Sequence, residues 1–145
     1  MTEKIYGYKD FTDKIDITDP CYNRDVWCRI NGFPITPGEY ECYIVTKKTR
    51  YGNRVARIGI RMEKADSFTM IGSIGVDAGM AGFFNDKPDY TDAEWDKFCH
   101  MVEGNESAWL LDEGFCSNSG YGDGGYNVYA GYKDGKFTEA YIDFI

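Results

Sequence analysis

The chain has 145 residues, a formal net charge of −8 and a hydrophobic content of 43%. This length suits a single domain over residues 1–145 with its own core, and the hydrophobic content excludes a disordered chain. The negative charge argues against general nucleic-acid binding, and the sequence has neither a signal-peptide pattern nor an apolar stretch that could span a bilayer. We therefore expect a cytoplasmic protein without membrane contact.

The cysteines and the single histidine predict neither a disulfide framework nor a metal site. The five cysteines have irregular spacing and no C-x-x-C pair, and His100 is the only histidine. An odd number of cysteines at such spacing is not typical of a disulfide framework, and common zinc sites need more paired ligands. Cys99 and His100 are adjacent on a predicted helix, so their side chains do not face each other. We assign no catalytic residue, metal or cofactor.

The predicted elements are mostly short strands separated by glycine- and aspartate-containing turns. In chain order, strands are predicted at 6–9, 14–18, 39–49, 53–63, 70–77, 79–84, 125–132 and 137–144, with 109–116 ambiguous. Thr91 and Glu94 have capping-box spacing and predict a helix that runs to about Val102. Such a pattern favours an antiparallel meander or barrel. We predict a mostly β domain, all-β or α+β, formed by a twisted antiparallel sheet or partly open barrel with one covering helix.

Positive charge is concentrated in one predicted hairpin. Residues 47–64 contain seven cations and one anion, so this segment carries +6 and the rest of the chain −14. Strict alternation along the second strand places Arg54 on the same face as Ile58 and Ile60. Because an unpaired buried charge is costly, Arg54 should have a carboxylate partner or a ligand. Arg57 and Arg61 fall on the opposite face.

Three segments combine aspartate with residues that favour turns. Asp19-Pro20-Cys21-Tyr22 follows a predicted strand, and Asp77 and Asp123 lie in glycine-flanked loops. At residues 19–22, Asp19 either caps local amides or helps to present a thiol. The two glycine-flanked loops are either tight turns, whose aspartates bind backbone amides or Arg54, or a ligand site.

Four motifs resemble those of an uncharacterised bacterial and phage family, a domain of unknown function. They are Asp-Pro-Cys-Tyr (19–22), Tyr-Gly-Asn-Arg (51–54), Gly-Val-Asp-Ala-Gly (75–79) and Ser-Gly-Tyr-Gly-Asp-Gly-Gly-Tyr (119–126). The similarity extends from Asp16 to about Phe144. It implies a small β-rich domain in which Asp19, Arg54, Asp77, Ser119, Tyr121 and Asp123 belong together, and it implies no reaction.

These observations predict a non-catalytic binding protein for a small anionic ligand that carries phosphate, such as a nucleotide. A phage-type protein of this kind could sequester a host defence signal. The expected ligand-binding residues are Arg54, Arg57, Tyr51, Asp77, Ser119, Tyr121 and Asp123, with Asp19, Cys21 and Tyr22 as structural residues.

Two other classes of function are consistent with the sequence. One is a protein-interaction or inhibitor module whose acidic residues 86–113 dock on a basic partner. The other is an enzyme, a hydrolase or metal-dependent, in which Asp77 and Asp123 act as an acid–base pair or magnesium site. Strand edges that pair between copies would produce a homo-oligomer, which the sequence neither predicts nor excludes.

Overall fold

The computed structural model describes residues 1–145, which form eleven β-strands and one α-helix. The elements in chain order are β1 (Thr2–Phe11), β2 (Lys14–Thr18), β3 (Ile30–Pro34), β4 (Gly38–Thr49), β5 (Gly52–Arg61), β6 (Ser67–Val76), β7 (Met80–Phe84), α1 (Asp92–Met101), β8 (Ala108–Leu110), β9 (Gly114–Asn118), β10 (Gly124–Lys133) and β11 (Lys136–Asp143). This confirms the mostly β class with a single helix.

The strands form two antiparallel sheets and no closed barrel. The large sheet has the order β1-β4-β5-β11-β10-β6, and the small sheet has the order β3-β2-β7-β9-β8. The segment 109–116, whose sequence pattern is ambiguous, contains the end of β8 and the start of β9, which pair in the small sheet. The only helix is too short and too polar to cross a bilayer.

The two sheets face each other across the main hydrophobic core. Alternate side chains of each strand enter this core, for example Ile58 and Ile60 from β5 and Ile15 and Ile17 from β2. Phe83 contributes from β7 of the small sheet. Successive side chains along a strand point to opposite faces of the sheet. Each strand therefore also places a row of side chains on the outer face of its sheet.

The helix covers the outer side of the small sheet. Phe98 of α1 is buried in a second apolar cluster with Met80, Phe84 and Cys116 of the sheet and with Leu111. The predicted capping box is present: Thr91 accepts a hydrogen bond from the Glu94 amide, and the Glu94 side chain accepts one from the Thr91 amide. The small sheet is therefore covered on both sides, whereas the outer side of the large sheet carries no helix.

A β-bulge changes the alternation that the sequence predicts for β5. The register between β4 and β5 shifts where Val45 and Thr46 pair with Arg57 and Val55. The extra residue, Ala56, is buried together with Val55, which belongs to the main core. Because a bulge places two residues opposite one, the side chains between Ile58 and Arg54 do not alternate strictly between the two faces of the sheet.

Candidate functional site

Apart from Arg57, the cations of the β4–β5 hairpin fall into two groups with different environments. At the base of the hairpin, the Arg61 guanidinium lies 3.0 Å from Glu3, 2.6 Å from Glu41 and 3.6 Å from Glu139. Nearer the tip, no carboxylate lies within 4.0 Å of any cation. This unpaired group comprises Lys47, Lys48, Arg50 and Arg54. The tip therefore carries positive charge that the protein does not neutralise by direct ion pairs.

Aromatic and guanidinium groups at this tip form a contiguous set, which we call the Arg54–Tyr121 array. The guanidinium of Arg54 lies 5.8 Å from the ring centroid of Tyr121. The Tyr121 ring meets Tyr51 edge to face at 6.3 Å, and Arg50 lies 5.9 Å from the Tyr51 ring. Tyr51 and Tyr121 are 66% and 57% exposed. The array thus presents two accessible rings beside unpaired positive charge, an arrangement suited to cation–π and stacking contacts.

Arg54 has an unpaired polar atom within this array. Its Nε atom is buried and has no hydrogen-bond partner. The sequence predicts a carboxylate partner or a ligand for this arginine, and no carboxylate lies within 4.0 Å of it. The two terminal nitrogens of Arg54 also make no hydrogen bond and are not buried, so they are the donors that a bound anion would meet.

The β9–β10 loop brings Tyr121 to Arg54. Gly120 has a φ of +63°, and a Cβ atom at this position would lie 3.2 Å from the Val55 carbonyl oxygen. Glycine therefore permits both the backbone conformation and the close approach to β5. Ser119 is buried and holds the loop internally, since its Oγ donates to the Gly122 carbonyl oxygen at 2.7 Å.

Aspartates join this loop to the turn between β6 and β7. Asp123 accepts a hydrogen bond from the Gly79 amide at 3.0 Å, and the Gly79 carbonyl accepts one from the Ser119 amide at 3.0 Å. Asp19 is fully buried and accepts bonds from the amides of Asp77 and Ala78, each at 2.7 Å. Asp123 binds a backbone amide, as the turn interpretation of its glycine-flanked loop predicts. In the other loop, Asp77 contributes its amide and not its carboxylate, and the aspartate that accepts the bond is Asp19.

A chain of contacts therefore links the six residues that the motif resemblance groups together. Asp19 binds the turn that contains Asp77, that turn binds Asp123 and Ser119, and the same loop presents Tyr121 to Arg54. The Asp77 side chain is exposed and makes no hydrogen bond or ion pair. No group of three or more His, Cys, Asp or Glu side chains is arranged to hold a metal ion.

Arg57 lies in a different environment from Arg54. Its guanidinium stacks on the Tyr141 ring at 3.7 Å and lies 3.9 Å from Asp143. Both partners belong to β11 and share the outer side of the large sheet with Arg57. The structure thus places Arg57 with partners of its own and outside the Arg54–Tyr121 array.

Cys21 and Tyr22 have environments that suppress their ionisation. Burial and the neighbouring Asp19 raise the pKa of the Cys21 thiol, and burial together with Cys28 raises the pKa of Tyr22. The Cys21 amide donates to Asp19 at 2.8 Å, so the segment 19–22 is a turn capped by its own aspartate. A thiol with a raised pKa is a poor nucleophile at neutral pH.

A buried ionic cluster around Asp16 has no counterpart in the sequence-based predictions. Asp16 lies 2.9 Å from the Arg24 guanidinium and 3.4 Å from that of Arg29, and it accepts bonds from the amides of Gly32 and Lys87 at 2.9 Å. The only sequence signal is an aspartate between Ile15 and Ile17 in a strand pattern. That signal places Asp16 on the side of β2 opposite to the core but does not identify its partners.

The Lys87 side chain is buried beside this cluster. Its Nζ donates to the Pro88 carbonyl oxygen at 2.8 Å and lies 4.1 Å from the Tyr90 ring centroid. Burial and the nearby Arg29 lower the pKa of Lys87 to about 8.

A second surface feature is a groove between α1 and the β8–β9 region, which we call the helix groove. It has a volume of about 700 Å³ and five apolar or aromatic lining residues: Tyr90, Phe98, Met101, Leu110 and Leu111. Three carboxylates also line it, those of Glu94, Asp112 and Glu113, along with Lys97 and His100. The hydroxyl of Tyr90 donates to Glu113, which holds one wall of the groove in place.

Together, the fold and these contacts define a two-sheet antiparallel β domain with one covering helix and a cationic, aromatic surface site. No protein-family model matches this chain, and neither a curated protein nor a solved structure matches it. The resemblance of the four motifs to the bacterial and phage family therefore stays a prediction.

Proposed function

We propose that this protein binds a small anionic ligand with an aromatic ring, such as a nucleotide, at the Arg54–Tyr121 array. The observation that carries this proposal is the environment of Arg54, which has a buried, unpaired Nε and no carboxylate within 4.0 Å. Arginine matches phosphate geometry well because its planar guanidinium presents several donors. Lys47, Lys48 and Arg50 would add long-range attraction for an anion.

The exposed rings of Tyr51 and Tyr121 supply the aromatic part of the proposed site. Each ring has a free surface, and a base that stacks on an aromatic side chain contributes about 1–3 kcal/mol. The tyrosines would therefore select a ring-bearing anion over inorganic phosphate. Ser119 and Asp123 hold the loop that carries Tyr121, so their proposed role is to position it. Asp77 lies in the β6–β7 turn, which is bonded to this loop, and its carboxylate has no partner.

We propose that the site holds its ligand without converting it. Sequestration of a nucleotide signal is the use that fits such a site. The hypothesis that a phage-type protein uses such binding against a host defence rests on the motif resemblance alone. The enzyme alternative gains no support from Asp123, since this carboxylate is bonded to the Gly79 amide.

Replacing Arg54 with alanine is expected to weaken nucleotide binding about 10- to 100-fold, because charge-assisted hydrogen bonds contribute about 1.5–3 kcal/mol. The measurement is isothermal titration calorimetry with a panel of nucleotides and inorganic phosphate. Arg57→Ala is the matched control, since it removes the same charge from the same strand and should leave affinity nearly unchanged. Equal affinities for wild type and Arg54→Ala, or no binding of any nucleotide by the wild type, would contradict the proposal.

The helix groove supports a second candidate function, the docking of a basic amphipathic segment from a partner protein. Residues 86–113 contain nine carboxylates and two lysines, and one of these lysines, Lys87, is buried. A groove lined by both apolar and acidic side chains complements a segment with one apolar and one basic face.

Replacing Met101 with glutamate is expected to reduce binding of a lysine- and leucine-rich helical model peptide at least tenfold, because it places a charge among the apolar side chains that line the groove. Tryptophan fluorescence titrations at low and high salt would measure this, and salt should weaken wild-type binding. Arg54→Ala is the control and should bind the peptide like wild type. Binding that is insensitive to both salt and Met101→Glu would argue against the groove as the docking site.

A further inference from the structure

The two long edges of the large sheet differ in how they are protected. The edge strand β1 carries four charged residues: Glu3, Lys4, Lys9 and Asp10. The opposite edge strand, β6, has ten residues and contains no charge and no proline. Charges and proline are the usual means by which edge strands avoid pairing with another chain. β6 lacks both of these forms of protection, and its one irregularity is a β-bulge at Ile71, where its register with β10 shifts between Met70 and Gly72.

Only the first half of β6 is open. In its second half, the Gly75 amide donates to the Cys28 carbonyl oxygen at 2.9 Å, and the Ile30 side chain lies close to Gly72. The residues from Ser67 to Met70 are all exposed. Because β6 pairs with β10 on one side only, this open half presents a row of free backbone N–H and C=O groups.

Large apolar side chains accompany these free backbone groups. Phe68 is 45% exposed and Met70 is 55% exposed, and both lie on the outer side of the large sheet. Phe68 packs edge to face on Tyr141 at 5.3 Å, and Tyr141 stacks on Tyr129 at 5.0 Å. The open edge therefore continues into an aromatic surface rich in residue types that are common at protein interfaces.

We infer that two copies of this chain pair through residues 67–71 of β6 in antiparallel orientation and so join their large sheets. With Thr69 opposite Thr69 of the second copy, Phe68 of each chain faces Met70 of the other. This register forms two sulfur–aromatic contacts on the outer side of the joined sheet, and the threonines form a favourable cross-strand pair.

The local charge permits a second copy to occupy this edge, and the symmetry of the pairing favours it. The protein carries a net charge of −8, which opposes the association of two copies at long range. The β6 edge is uncharged, which lets the copies approach there without like charges facing each other. The pairing is also self-complementary, as an interface between identical chains with twofold symmetry requires.

Sedimentation velocity across a wide range of concentration tests this inference. The wild type is expected to form a species of twice the chain mass as concentration rises. Thr69→Lys should remain monomeric throughout, because it places two ammonium groups opposite each other at the twofold axis. Thr2→Lys, the same substitution on the exposed start of β1, is the control and should dimerise like the wild type.

Two outcomes would overturn the inference: a wild type that stays monomeric at the highest concentration, and a Thr69→Lys variant that dimerises as well as the wild type. If Thr69→Lys fails to fold by circular dichroism, Met70→Lys replaces it with the same expected loss. A Thr69→Cys variant oxidised with copper–phenanthroline should form a disulfide between the two position-69 thiols. A mass-spectrometric peptide map that lacks this link in a dimeric sample would contradict the register.

Discussion

Replacement of Asp16 by alanine is expected to lower the free energy of unfolding by about 3–5 kcal/mol, the range for removing one partner of a buried ion pair. Asp16 is 2% exposed, and the Arg29 side chain that it contacts is fully buried. Burial lowers the pKa of Arg29 and Asp16 opposes that shift, so the aspartate stabilises the charged guanidinium. Without Asp16, the guanidinium keeps hydrogen bonds to Tyr22 and Asn31 but has no carboxylate within 4.0 Å.

Urea unfolding followed by tryptophan fluorescence would measure this loss, with the midpoint and slope fitted together. Asp13→Ala is the matched control, because Asp13 is an exposed aspartate three residues earlier and forms no ion pair. This control should change stability by about 0.5 kcal/mol or less. A similar small change for Asp16→Ala would show that the ion pairs around Asp16 contribute little net stability.

Asp19→Ala is expected to have the second largest effect, a loss of about 3 kcal/mol, because three amides lose a charged acceptor. The Asp19 carboxylate binds the amides of Cys21, Asp77 and Ala78, and so fixes the chain where it passes from the large sheet to the small sheet. Thermal and urea unfolding would measure the loss. Asp19→Asn keeps an acceptor oxygen and should lose less.

Asp123→Ala provides a graded comparison for this prediction. Asp123 accepts a single amide bond, from Gly79, at an exposed position, so its loss should cost about 1 kcal/mol. The expected order of destabilisation is therefore Asp19→Ala, then Asp19→Asn, then Asp123→Ala. If Asp123→Ala is less stable than Asp19→Ala, the hydrogen bond from the β9–β10 loop contributes more to stability than the three bonds of Asp19, which would contradict this order.

Features with local determinants were predictable from the sequence. The β4–β5 hairpin, the β10–β11 hairpin and the capping box of α1 follow from alternation, turn residues and short-range spacing. The division into two sheets was not predictable in the same way, because it depends on pairings such as β11 with β5 and β10 with β6. These pairings join distant segments whose strand patterns are equally compatible with a single sheet or a partly open barrel.

The candidate site shows the same division between local and long-range information. The sequence predicts a partner for Arg54 from strict alternation along β5, which the bulge at Ala56 breaks, so only the nearness of Tyr51, three residues away, was a sound local signal. The contact of Arg54 with Tyr121 depends on the fold of a loop 67 positions later, and only the motif resemblance grouped the two. Asp16 was missed because its partners at 24, 29, 32 and 87 come from three separate segments, none of which carries a recognisable motif.

The position of β11 inside the large sheet has a consequence for how the chain folds during synthesis. β11 is hydrogen-bonded between β5 and β10, and it alone joins β1, β4 and β5 to the pair formed by β10 and β6. Until residues 136–143 leave the ribosome, the earlier strands cannot form one continuous sheet. Their apolar side chains then lack the core contacts that β11 provides. Completion of the large sheet is therefore a late, non-local event, and nascent chains must keep these strand edges from aggregating until it occurs.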